Sequence, residues 1–192
     1  MYRGTRRALP RPTPRWHGHH PELWNPPGDP VSEGYSIQPI GVIQSPYRDP
    51  QDMPIQACEA WNISGTAIIA PEWRDGLRDL AGFDRVWLLW WAHRGRSPAA
   101  MVQPFRDTRS RGVFATRVPV RPNPIAMSCV RLRSVAADRI EFDGVDMLDG
   151  TPLIDIKPYV WTWDAHPGIR SGWYDEANRP LAIGDRRFEK SA

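Results

Sequence analysis

Cysteine, lysine and long apolar runs are all scarce in this sequence. Only Cys58 and Cys129 occur in 192 residues, too few for a disulfide framework. The longest apolar run, Val86 to Ala92, falls far short of a bilayer span. No apolar segment follows the early arginines, as a secretory signal requires. The expectation is a cytoplasmic protein that does not enter a membrane. No G-x-G-x-x-G, Walker loop, Cys-x-x-Cys or G-x-S-x-G is present. These absences argue against a Rossmann nucleotide site, so any cofactor must be held by another device. Nothing acidic or thiol-bearing accompanies the His17, His19, His20 cluster at a ligand spacing, and Asp143, Asp146 and Asp149 fit no established cation loop. No metal is expected.

What is present is proline, arginine and short β-type runs. Residues 1 to 33 hold seven of the 21 prolines and five arginines with almost no aliphatic periodicity, which predicts an extended or disordered arm. From residue 34 to 160 the texture changes. Seven runs separated by glycine and proline read as strands: Tyr35 to Gln44, Ile63 to Ala70, Val86 to Ala92, Gly112 to Arg117, Ile125 to Val135, Arg139 to Val145 and Leu153 to Ile156. Trp73, Leu77 and Leu80 at helical spacing, closed by Gly82, predict one short helix over Pro71 to Gly82. Short strands with few helices favour a mainly β fold, a closed or nearly closed antiparallel barrel with one or two short helices. Residues 161 to 192, with Trp163, Trp173 and Tyr174 among acids and prolines, are expected to pack as an irregular tail on the barrel or on a partner.

Charge is unevenly spread. Between Arg106 and Arg133 seven arginines face one acid, Asp107, a local excess that seeks an anion. Within it Pro119, Pro122 and Pro124 stiffen a loop that presents Arg117, Arg121 and Asn123. The alternative is a proline-rich barrel corner with solvated arginines. Asp149-Gly150 is a turn signature followed by Thr151 and Pro152. In the strand after it, Leu153, Asp155 and Lys157 are expected to share one face. Asp155 with Lys157 reads either as a structural ion pair or as an acid/base and anchoring pair. His93-Arg94 ends the tryptophan-rich strand, where a pocket can open, although a surface histidine is the commoner outcome.

Five ordered segments resemble the TsaA-like, or TrmO, family of tRNA methyltransferases: Pro39 to Tyr47, Gly76 through Trp87, Gly112 to Arg117, Arg121 to Ile125, and Asp149 to Tyr159. The resemblance implies a single-sheeted β-barrel that acts as a homodimer and binds S-adenosylmethionine. It also implies methyl transfer to the exocyclic nitrogen of threonylcarbamoyladenosine beside the tRNA anticodon. The cofactor would touch Pro54, Ile55, Gln56, His93, Arg94, Arg117, Met127 and the Asp149, Gly150, Thr151, Pro152 turn. Arg117, Arg121 and Asn123 would meet the RNA. Asp155 is expected as the base, with Lys157 and Tyr159 orienting the substrate. Ile55 and Ala126 depart from the family pattern of arginine and glycine, which keeps open a non-catalytic S-adenosylmethionine- or RNA-binding module. A methyltransferase acting on a small molecule is the third reading.

Overall fold

The structure, a computed structural model, describes residues 36–177 and 186–189. The N-terminal arm and its histidines lie outside the described residues. Eight strands occur among the described residues: β1 (Gly41–Gln44), β2 (Ser64–Ile69), β3 (Arg85–Trp91), β4 (Met101–Val102), β5 (Arg111–Gly112), β6 (Ile125–Val135), β7 (Arg139–Asp143) and β8 (Thr151–Pro158). Six of them close into an antiparallel barrel in the order β1-β2-β7-β6-β3-β8, and β4 pairs with β5 outside it. Closure removes the free sheet edges that such short strands would otherwise expose.

The interior follows from alternation. Ile43, Ala67, Ile69, Val86, Leu88, Val130, Ile140, Phe142 and Leu153 point inward and are almost wholly buried. Each such large aliphatic or aromatic side chain contributes roughly 1.5–3 kcal/mol by leaving water. β7 and β8 stand on opposite sides of the six-strand ring, so the chain joining them must cross one end of the barrel. That crossing is a plug: Phe142 to Leu148 is buried without interruption. Gly144 permits it, with φ +93, a strained conformation for any other residue, and a Cβ position that would crowd the Ala57 carbonyl oxygen at 3.0 Å.

A second, smaller core gathers Val102, Val113, Val118, Val120 and Phe188. It joins the β4-β5 hairpin, the proline-rich loop and the Arg186–Phe188 turn. Elsewhere in the tail, α1 (Trp161–Asp164) follows β8, and the Trp173 indole donates to the Ala115 carbonyl at 2.8 Å.

Three local expectations are corrected. Gly112 to Arg117 is not a strand: after Gly112 the chain turns into a 3-10 segment, Val113–Ala115, because Val113 is drawn into the second core. Pro71 to Gly82 is two 3-10 turns, Pro71–Leu77 and Leu80–Gly82, interrupted at Asp79 with φ 66. Leu77 and Leu80 still bury themselves as their spacing suggested. Leu153 does not share a face with Asp155 and Lys157. A bulge lets Trp90 oppose Leu153 while its neighbour Leu89 opposes Asp155. The extra residue keeps Leu153 inside and turns Asp155 and Lys157 outside.

Candidate functional site

The plug delivers the Asp149 turn to the barrel rim. Gly150 takes φ +75, as the turn demands. Asp149 accepts from the Ser45 amide at 3.1 Å and forms an ion pair with Arg48. A polar groove of about 800 Å³ lies on one side of the turn, bordered by Gln44, Ser45, Arg48, Arg133, Glu141 and Asp149. An apolar recess of about 90 Å³ lies on the other, bordered by Met53, Trp90, His93, Leu148, Thr151 and Phe188. Thr151 is buried and faces this recess, whereas Pro152 pairs with Val42 in the barrel wall.

The Pro54 to Gln56 segment is half-buried, and Arg117 donates to Gln56 Oε1 at 3.0 Å, which joins two of the expected contacts directly. Arg94 borders the apolar recess but is held from two sides, donating to the Arg48 carbonyl at 2.9 Å and pairing with Glu189. Glu189 comes from the tail, and its strand-like bridge to Gly95 seats it there.

The remaining candidates lie elsewhere. On the outer wall the register sets Asp155 beside Leu89 and Leu89 beside Met127, with Lys157, Trp87 and Cys129 in the next row. Lys157 Nζ is 2.7 Å from Asp155 Oδ2, the Ile156 amide donates to Asp155 Oδ1 at 2.8 Å, and Tyr159 lies against Trp87 with ring centroids 5.9 Å apart. One copy of the chain therefore brings together the recess and rim residues but leaves Asp155, Lys157, Tyr159 and Met127 on the outside of the wall.

The arginine-rich stretch is largely answered from within. Arg106 pairs with Glu59, Arg111 with Asp107, and Arg133 with Asp143. Burial pushes the Asp143 carboxyl up, but Ser64, Arg133 and the charge of Arg131 outweigh it and hold the group below its ordinary value. Arg121 spends its guanidinium on the Val113 and Thr116 carbonyls, both at 2.9 Å. It thus clamps the proline-rich loop on itself, while Asn123 is exposed. Counting charge between Arg106 and Arg133 could not see Glu59, from a distant segment, or Asp143, brought beside Arg133 by the pairing of β6 with β7.

Sequence reasoning also passed over a buried carboxyl on the plug. Asp146 is 6% exposed on the plug, and its carboxyl is pushed up to about 7. Burial is the main cause, opposed by donors from Ser128, its own amide and Ala57 and by the charge of Arg117. Its only sequence signal was membership of an aspartate series with cation-loop overtones. The structure separates that series, since Asp143 meets Ser64 and Arg133, Asp146 meets Ser128, and Asp149 meets Ser45 and Arg48. Among the described residues no His, Cys, Asp and Glu group is placed to hold a metal ion, and no helix is long and apolar enough to cross a membrane.

A closed barrel with an apolar recess and a polar rim is the frame of a β-barrel ligand-binding protein, without any Rossmann element. Residues 42–165 match the family model for the tRNA-methyltransferase O N-terminal domain. Over 153 residues, 79% of this chain and 83% of the relative, it is 44% identical to a Pyrococcus abyssi protein that bears the name probable S-adenosyl-L-methionine-binding protein. It is 35% identical to the tRNA (adenine(37)-N6)-methyltransferase of Escherichia coli K12, over 74% of this chain and 65% of that protein. The crystal structure of TrmO from Pseudomonas aeruginosa superposes with a TM-score of 0.62 at 37% identity, covering 73% of this chain and 62% of that one. The chain belongs to the TrmO family of S-adenosylmethionine-dependent methyltransferases. It spans less than two thirds of the TrmO crystal chain.

Proposed function

We propose that this chain methylates the exocyclic nitrogen of threonylcarbamoyladenosine beside a tRNA anticodon, working in the cytoplasm as a homodimer. The structural observation that carries the reading is the Asp155 and Lys157 pair, 2.7 Å apart and half-exposed on the wall beside Leu89 and Trp87. The E. coli relative's name supplies the substrate class.

The residues of the rim fit S-adenosylmethionine by their chemistry. The recess offers apolar surface from Trp90 and Leu148, while Gln56, Arg117 and Asp149 offer polar groups for a zwitterionic end. A recess of about 90 Å³ is smaller than a whole small-molecule pocket of roughly 300 Å³ or more, so the ligand is expected to extend from it onto the rim. Bound there, the cofactor supplies a methyl group already activated on a sulfonium. The protein's own task is alignment and one proton. The acceptor is a poorly nucleophilic ureido nitrogen, and Asp155 takes its proton as the new N–C bond forms. Lys157 holds Asp155 in place and, with Tyr159, orients the substrate. Arg117 and Asn123 are the candidates for RNA contact, with Arg121, expected there too, holding the loop that presents them.

A homodimer accounts for the separation of the two residue sets. The outer face carrying Leu89, Trp87, Met127 and Ile125 exposes apolar surface that a second copy would cover. Asp155 of one copy would then approach the rim of the other.

The deciding experiment is incubation with labelled cofactor and tRNA bearing threonylcarbamoyladenosine. Label on that base is the expected result. Bound cofactor without label on that base would reject the proposed substrate. It would favour the second reading, a non-catalytic cofactor-binding protein, to which the internal pairing of Arg106, Arg111, Arg121 and Arg133 lends weight.

A further inference from the structure

No step of the proposed reaction uses Asp146, although its surroundings are built around it. Ser128 Oγ donates to Asp146 Oδ1 at 2.6 Å and itself accepts the Trp90 indole N–H at 2.9 Å. The Ala57 amide donates to the same carboxylate, and the charge of Arg117 acts on it. One buried side chain on the plug is thus bonded to β6, through β6 to the recess wall at Trp90, and to the segment that presents Gln56 to Arg117. Every neighbour that bonds Asp146 is a donor. A carboxylate accepts from Ser128 and Ala57 together and leaves the Ser128 lone pairs to Trp90. A protonated carboxyl would bring an O–H against these donors, and a buried donor left without an acceptor costs about 1–3 kcal/mol.

We infer that Asp146 is a positioning residue for the cofactor site, holding the Ala57 segment and the Trp90 indole in their binding arrangement only while it is ionised. This rests on the assignment of the rim and recess to the cofactor. Arg117 and Tyr47 are both coupled to Asp146 by charge. Tyr47 stays neutral, since burial and then the charge of Asp146 both push its hydroxyl up. Asp146 titrates near neutrality, its carboxyl standing at about 7, while His93, which borders the recess, is the same in all the proteins compared. Above that pH the donors are satisfied. Below it the Ala57 amide faces a weaker, uncharged acceptor, Arg117 loses a favourable charge, and the hold on the segment carrying Gln56 loosens.

The test compares the wild type with Asp146→Asn and Ser128→Ala between acid and alkaline pH. Hydrogen exchange at the Ala57 amide is read in the free protein, and S-adenosylmethionine affinity is read by calorimetry. In the wild type, Ala57 protection and affinity should fall together below neutrality. The limiting loss is about tenfold in affinity per pH unit, the slope for one linked proton. The ligand's own amino group titrates equally with all three proteins, so the differences between them carry the result. Asp146→Asn should bind weakly at every pH with no such inflection. Ser128→Ala should move the inflection upward, because it removes a donor that favours the ionised form, a shift that loosened packing would not produce. Should Asp146→Asn fail to fold, the Ser128→Ala shift decides alone.

Wild-type inflection and affinity retained in Asp146→Asn, or an unmoved inflection in Ser128→Ala, overturns the inference. Gln56→Ala and Thr151→Val serve as the control on the site itself. If neither weakens binding, the cofactor lies elsewhere and the inference falls with the site. If both weaken it while Asp146→Asn does not, the inference alone falls.

Discussion

Arg117 and Gln56 meet at 3.0 Å although 61 positions separate them in the chain. The contact joins the proline-stiffened loop to the segment before Ala57, and it brings together two residues expected to touch the cofactor. A charge-assisted hydrogen bond contributes about 1.5–3 kcal/mol when well sheltered, and this one is exposed. Gln56→Ala should therefore weaken S-adenosylmethionine binding by about tenfold with little change in melting temperature, measured by calorimetry and thermal unfolding.

Asp155→Asn should lower kcat on the tRNA substrate by about 10²–10⁴-fold, the usual range for loss of a positioned base, with cofactor affinity kept. Lys157→Ala should lower it less, because Asp155 keeps the Ile156 amide as a donor. Full turnover by both variants with cofactor bound would remove these residues from the mechanism.

The buried carboxyl of Asp146 also makes a prediction about stability. Its folded-state value of about 7 lies above the ordinary 3.8, so between roughly pH 4 and 7 the native state holds more protons than the unfolded state. Its stabilising contribution is present in full below that window. It is lost as pH rises through about 7. Asp143 acts in the opposite sense at lower pH, since its depressed carboxyl stabilises the fold above its ordinary value and loses that effect on acidification. The difference in melting temperature between Asp146→Asn and the wild type should grow in the variant's favour from pH 4 to 7 and then level off. The ionised form that suits the site is thus the less stable one.

Phe188 is 5% exposed and anchors the second core from the tail. Phe188→Ala should cost about 3–5 kcal/mol in the unit it closes, read as a lower unfolding midpoint. Glu189→Gln, which keeps Phe188 but weakens the pair with Arg94, should cost far less.

Met127→Lys places a charge on the apolar outer row beside Leu89. Light scattering should show a dimer for the wild type and a monomer for this variant, with circular dichroism unchanged. A wild type that is monomeric at high concentration would exclude the dimeric site.

The sequence by itself determined the barrel. In Arg139 to Asp143, Ile140 and Phe142 alternate with Arg139, Glu141 and Asp143, a pattern that depends only on the period of two along a strand and survives any tertiary arrangement. Asp149-Gly150 was legible for the same kind of reason, since its turn is a local property of the backbone. The family resemblance, too, was carried by local segments. The face of Asp155 was not legible, because a bulge between Leu153 and Asp155 exists only when β8 meets β3. Nor was the fate of the arginines, whose partners Glu59 and Asp143 arrive from elsewhere in the chain. Asp146 is the clearest case. In sequence it is one of several aspartates, and only ring closure, by forcing the β7-to-β8 connection across the barrel's end, buries it between Ser128 and Ala57. Periodicity is written residue by residue. Burial, pairing and the titration they control depend on which distant segments the closed ring brings into contact.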